Sequence, residues 1–181
     1  MKHSIRLIFA MLVLLTVSGC VLTARSQRQT TYYDLAIPQT NDTLKNLKIV
    51  SVNNNTPSQS RMLFRARGNR IEQDSLNCWI QPPERMLQRY LVQKFLQGNA
   101  DADQLLTVRC SINAFEFDIP ASEAVLSIKC TLQQNGKQKI VMLSSREKFT
   151  GTTPEELVAA MNKAVKKTAG QLAAAAENFG K

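Results

Sequence analysis

From Leu106 to Ala114 apolar and polar residues alternate without a break. Leu106, Val108, Cys110, Ile112 and Ala114 share one side, and Thr107, Arg109, Ser111 and Asn113 the other. A period of two predicts a strand with one buried and one wet face, continuing through Phe115–Asp118. Ile119–Ser122 turns the chain. Leu126, Ile128, Cys130 and Leu132 then repeat the pattern against Ser127, Lys129 and Thr131. Asn135-Gly136 tolerates positive φ at both positions and predicts a tight type I′ turn. Lys139–Phe149 completes an antiparallel meander.

Upstream the strands are shorter. Tyr32–Ile37 is rich in β-favouring residues and stops at Pro38. Gln39–Lys45 is a polar loop, Leu47–Val52 alternates, and Asn53–Ser58 is dense in turn formers. Met62–Arg67 and Arg70–Asp74 flank Gly68-Asn69, which predicts a two-residue hairpin. Its polar composition puts it at the periphery of the sheet.

Two stretches change period. After Cys78-Trp79-Ile80, the Pro82-Pro83 pair suits a helix start. Met86, Leu87, Tyr90, Leu91 and Phe95 form a helical stripe over Glu84–Gln97, and Gly98 ends it. Asn99–Gln104 is an acidic loop. Thr153-Pro154-Glu155-Glu156 is a capping box with proline in the first helical position. Leu157, Met161, Ala164, Val165, Thr168, Leu172 and Phe179 carry one face of a long helix that ends at Gly180. One-faced strands and two amphipathic helices predict an α+β fold. The expected architecture is a two-layer sandwich: a mostly antiparallel sheet with both helices packed on one face.

The first twenty residues follow another logic. Lys2 and Arg6 precede an apolar run, Leu7–Val17, broken only by Thr16, and Val17-Ser18-Gly19-Cys20 follows. The run is too short to span a bilayer, which takes about 20 apolar residues. The layout is that of a bacterial secretory signal, and a cysteine directly after small residues resembles the lipobox of bacterial lipoproteins. That resemblance implies cleavage before Cys20, diacylglycerol on its thiol and an acyl chain on the new amino terminus. The organisation expected is a signal over 1–19, a lipidated tether over 20–30 and one domain over 31–181. Several acyl chains on one residue anchor a protein without a spanning helix. Val21, where an aspartate would favour inner-membrane retention in enterobacteria, leans towards the outer membrane, with the domain facing the periplasm.

Composition narrows the function. The formal charge of +9 includes Lys2 and Arg6, so removing them leaves +7. A basic surface meets nucleic acid, anionic lipid or an acidic protein, and export argues against nucleic acid. His3 is the only histidine and leaves with the signal. A Ser-His-Asp or Cys-His pair and a histidine metal site are therefore excluded in the mature chain. Asp101 with Asp103 and Glu116 with Asp118 are paired carboxylates, but no candidate nucleophile accompanies them, and they read as solvated charge. No enzyme activity and no cofactor is expected beyond the lipid on Cys20.

Of four cysteines, Cys20 is assigned to lipid, leaving Cys78, Cys110 and Cys130. An exported protein permits a disulfide, and an odd number leaves at least one thiol unpaired within the chain. Cys110 and Cys130 lie on the apolar faces of adjacent strands. A cross-strand disulfide and a pair of buried thiols are both open there.

The order of features resembles the ABC-type transport auxiliary lipoproteins, components of paraquat-inducible and related systems that carry mammalian-cell-entry (MCE) domains. The matching residues are the lipobox at Cys20, Tyr32-Tyr33-Asp34-Leu35, Leu63-Phe64-Arg65, Trp79 before Pro82-Pro83, Ile112–Asp118, and Ser145–Phe149 before the last helix. Trp79-Ile80 departs from the family's usual Trp-Ala, the Asn-rich loop replaces an aliphatic-Pro-x-Tyr-Leu pattern, and the three extra cysteines are unusual. The resemblance implies a non-enzymatic adaptor at a membrane. It docks an MCE-domain protein whose channel carries phospholipid or other hydrophobic molecules between membranes, driven by an inner-membrane permease and ATPase. A homo-oligomer is compatible with it. The competing class is an assembly-factor lipoprotein for outer-membrane β-barrels or lipopolysaccharide transport. Tyr32, Tyr33, Trp79, Arg65 and Arg67 are the candidate interaction surface. Tyr33 and Trp79 are also large enough to be core residues, the usual place of such aromatics, and Arg65 fits a surface ion pair.

Overall fold

The computed structural model describes residues 29–38, 47–95 and 105–179. The signal expected over 1–19, Cys20 with its expected lipidation, most of the expected tether, the Gln39–Lys45 loop, Gly98, Gly180 and the loop carrying Asp101 and Asp103 lie outside the described residues. Among the described residues seven strands form one sheet: β1 (Thr31–Tyr33), β2 (Leu47–Asn54), β3 (Arg61–Arg65), β4 (Ile71–Trp79), β5 (Leu106–Asp118), β6 (Glu123–Gln134) and β7 (Lys137–Lys148). Helix α1 spans Pro83–Lys94 and α2 spans Pro154–Glu177. The order along the sheet is β1-β4-β3-β5-β6-β7, with β2 also paired to β5. On the side away from β6, β5 meets β2 through Leu106–Ile112 and β3 through Phe117–Asp118. The long ladders of the β5-β6-β7 meander and the β3-β4 hairpin are antiparallel. β1, β2 and β3 each add a parallel pairing, so the sheet is mixed.

The α+β sandwich expected from the sequence is the fold observed. α1 lies over β2, and α2 over β6 and β7. Met86, Leu87 and Leu91 of α1 and Leu157, Met161, Val165 and Leu172 of α2 join the inward residues of β5 and β6 in one core cluster. Each such side chain contributes about 1.5–3 kcal/mol by leaving water. The capping box is complete. Thr153 Oγ1 accepts from the Glu156 amide, and Glu156 Oε2 accepts from the Thr153 amide.

Four local expectations change. The opening strand is Thr31–Tyr33, not Tyr32–Ile37. Beyond the Tyr33–Trp79 pair β4 ends, and the amides of Leu35 and Ala36 turn to the side chains of Asp34 and Asn162. The Gly68-Asn69 hairpin is wider than two residues. Arg67–Asn69 forms a 3-10 turn, with Gly68 and Asn69 at φ 72° and 62°. Asn135-Gly136, at φ 50° and 74°, does link paired residues directly. Nor is the β3-β4 hairpin peripheral: β3 lies between β4 and β5, and its Met62 and Leu63 are buried. Finally, a bulge between Ile112 and Ala114 inserts one residue into β5 against β6. One extra residue reverses which side chains face inward. Ala114 therefore leaves the apolar side, and Phe115 and Phe117 enter the core.

Candidate interaction surface

The five residues proposed from the sequence do not form one surface. Trp79 is 1% exposed and packs edge-on against Phe115, at 5.2 Å between ring centroids. Of the two readings the sequence left for Trp79, interaction surface and core, the core is the one observed: the ring packs on Phe115 and Phe117. Tyr33 is half-buried, and its hydroxyl donates to Glu155 Oε1 at 3.0 Å. Burial, and then this carboxylate, push its phenol pKa up. Tyr32 is exposed beside Cys78, at the end of β4 away from the hairpin. Arg67 is exposed at the hairpin tip. Pairing places Tyr32 beside Cys78 and Arg65 beside Ile71. Seven residues of strand thus separate the tyrosine from the arginines, or about 23 Å.

Arg65 reaches the sheet face opposite the helices. Its Nε lies 2.6 Å from Oε1 of Glu116, which is buried. The reading of Glu116 as solvated charge is therefore corrected. The hydrogen bond to this carboxylate holds the Arg65 guanidinium pKa above its usual value. Next to this pair, Arg146 lies 3.5 Å from Asp118 and 3.1 Å from Glu123, and Lys148 lies 3.2 Å from Glu123. Bonds from Arg146 and Lys148 pull the Glu123 carboxyl below the usual range. This corner brings three cations and three carboxylates together and balances its own charge.

The far end of the same face is different. Lys129 pairs across the sheet with Ser111 and Met142, and Thr131 with Arg109 and Ile140. Ile140 and Met142 are 54% and 62% exposed, and Arg109 and Lys129 are exposed between and beside them. Lys137 and Lys139 are exposed too, but alternation puts them on the helix side of β7, Lys139 beside the buried Leu132. A pair of exposed apolar side chains set among cations is suited to a partner that is apolar at its centre and acidic at its rim. The sequence reading missed this patch. Its signal was Ile140-Val141-Met142-Leu143, four apolar residues in a strand that needs apolar residues on one face only.

Cys110 and Cys130 are directly opposed on β5 and β6 and joined by a disulfide, and Cys78 is a buried free thiol. No group of three or more His, Cys, Asp or Glu among the described residues is placed to hold a metal ion. No helix among them is long and apolar enough to cross a membrane.

The family model for the ABC-type transport auxiliary lipoprotein component matches residues 56–173, well over half of the chain. A search of curated proteins returns no match. Two solved structures share the fold. One, a crystal structure of an uncharacterized protein, superposes with a TM-score of 0.68 at 14% identity, covering 80% of this chain and 97% of its own. The other, from Xanthomonas campestris and assigned to family DUF330, gives 0.67 at 16% identity, covering 79% and 92%.

Proposed function

Since the chain belongs to the ABC-type transport auxiliary lipoprotein family, we propose that it is a non-enzymatic adaptor of an MCE-type transport system. Membership places it among lipoproteins of the cell envelope, associated with an ABC transport system. In the proposed arrangement the lipid on Cys20 holds the domain at a membrane, the outer membrane by the Val21 argument, facing the periplasm. The domain docks an MCE-domain protein that conducts phospholipid or another hydrophobic molecule.

The observation that carries the docking step is the exposed Ile140–Met142 pair beside Arg109 and Lys129. At 54% and 62% exposure each side chain has roughly 1–2 kcal/mol still to gain when a partner covers it. The self-neutralised corner around Arg65 and Glu123 offers no comparable gain.

The test is crosslinking in intact cells, followed by purification of the acylated protein and mass spectrometry of its partners. Recovery of an MCE-domain protein with its permease is expected, and Ile140→Asp/Met142→Asp should lose that partner while keeping the wild-type melting curve. Recovery of a β-barrel or lipopolysaccharide-export component instead would replace the transport reading with the assembly-factor one. The anchor has its own test. Cys20→Ala should release the protein from the membrane fraction, and a variant that still pellets in high salt contradicts lipid anchoring.

A further inference from the structure

β7 is the last strand of the sheet, so one of its two edges has no strand beside it. In an antiparallel ladder alternate residues turn both N–H and C=O towards the partner strand, and those between turn both away. Two bonds fix the phase in β7. The Phe149 amide donates to Ser122 O, next to β6, at 3.1 Å, and Ser144 O accepts from Gln171 Nε2 of α2 at 3.1 Å. No bulge interrupts the β6-β7 ladder. Odd-numbered residues therefore face β6, and the backbone groups of Gln138, Ile140, Met142 and Ser144 face outward. Gln171 covers the edge at Ser144. Among the described residues nothing pairs with the outward N–H or C=O of Gln138, Ile140 or Met142.

Natural sheets guard such an edge, because open N–H and C=O groups are a template for pairing with other chains. Here both ends are guarded. Arg146 and Lys148 sit in the charge-balanced corner, and Lys137 and Lys139 are exposed at the start of the strand. The middle is bare. Ile140–Leu143 is apolar throughout, and Ile140 and Met142 are exposed. A sequence selected only to protect an edge breaks such a run with a charge. The residues with open backbone groups are the same ones that expose apolar side chains. A strand added there gains hydrogen bonds and apolar contacts together.

Charge selects the kind of strand. Arg109, Lys129, Lys137 and Lys139 lie on or near the stretch, and none of them forms an ion pair among the described residues. A second copy pairing through its own β7 would bring the same four cations to the two-fold axis, which repulsion disfavours. An acidic segment is attracted instead. We propose that Lys137–Leu143 is a docking edge that takes an extended segment of a partner protein as an added strand, apolar opposite Ile140–Leu143 and acidic opposite Lys137 and Lys139. This deepens the adaptor reading and rests on it only for the identity of the partner; the edge itself stands on the open backbone row and the side chains beside it.

The photocrosslinking residue p-benzoylphenylalanine is placed at Gln138, Ile140 and Met142 in turn in the full-length protein. Adducts are formed by light in intact cells, and the crosslinked partner residues are mapped by mass spectrometry. The adducts should fall on one stretch of one partner and move along it by about two residues for each step of two in β7, with carboxylates opposite the lysines. Ile140→Pro removes an outward N–H that the β6 ladder does not use, a change edge strands tolerate. It should cut the adduct yield from Met142 roughly tenfold, about the worth of one good hydrogen bond. Ile140→Val, which keeps the N–H and most of the side chain, should stay near wild type. If the proline variant melts early, the register of the adducts decides alone. Adducts scattered over separate segments, adducts to a second copy of this chain, equal yields from two well-folded variants, or no adduct at all overturn the proposal. A regular register on a partner without an MCE domain keeps the edge and defeats the adaptor reading; an MCE-domain partner with scattered adducts does the reverse.

Discussion

Arg65 Nε donates to Glu116 Oε1 at 2.6 Å, and the two side chains are unequally covered, at 34% and 8% exposure. Removing either partner therefore has different consequences. Arg65→Ala leaves a carboxylate buried without its cation, a change that costs several kcal/mol at fully buried pairs. Because Arg65 is itself a third exposed, screening reduces the expected loss to about 1–3 kcal/mol. Glu116→Gln keeps the shape, and the arginine can turn to water, so about 1 kcal/mol or less is expected. Urea unfolding of both variants checks the order. A larger loss in Glu116→Gln would contradict this account of the pair.

The Cys110–Cys130 disulfide joins the first two strands of the meander, β5 and β6, with a sequence separation of 20. Closing a loop of this size stabilises a fold by about 3 kcal/mol in the chain-entropy account. Reduction should lower the melting temperature by roughly 6–12 °C for a chain of this size. Cys78 is free, so if Cys20 carries the proposed lipid the unfolded chain should show one reactive thiol before reduction and three after. Three thiols without reductant would show that the bond does not form in the cell envelope.

Much of the sheet was legible because period two is a strong signal where one face is buried and the other wet, as in Val108–Ile112 and Ile128–Leu132. The bulge at Asn113 was not. A single inserted residue leaves no mark of its own, and only the phase of Phe115 and Phe117, out of step with Ile112, betrays it. Size alone left Trp79 open between surface and core; the rings it packs on, Phe115 and Phe117, lie more than thirty residues later, and no local pattern encodes them. Helix starts were legible because Pro82-Pro83 and Thr153–Glu156 act locally.

The start of α2 gives a graded test. Thr153→Ala removes the acceptor for the Glu156 amide and should cost about 1 kcal/mol. Gly151 has a different role in the same cap. A Cβ there would come within 1.9 Å of Glu156 Oε2, so Gly151→Ala must displace that carboxylate from the Thr153 amide. Since only the end of a flexible side chain has to move, the loss should be smaller than for Thr153→Ala. Melting temperatures in the opposite order would show that the glycine matters for more than the room it leaves Glu156.

Asp74 makes stability depend on pH. Its carboxylate accepts from the Leu76 amide at 2.7 Å, the Asn77 amide at 2.9 Å and Asn77 Nδ2 at 2.9 Å. Burial alone would push its pKa up. The Asn77 side chain, the two amides and then the charge of Arg61 outweigh burial and hold it below the usual carboxylate range. A carboxyl whose folded pKa lies below its unfolded value binds fewer protons when folded. It therefore stabilises the fold fully above the ordinary value near 4, and that contribution disappears as pH falls through the depressed folded value. Asp74→Asn should melt below wild type at neutral pH, and the gap should close as the buffer approaches roughly pH 3 or lower. A gap that stays constant from neutral to acid would mean that the three bonds hold Asp74 for its shape, without linkage to its charge.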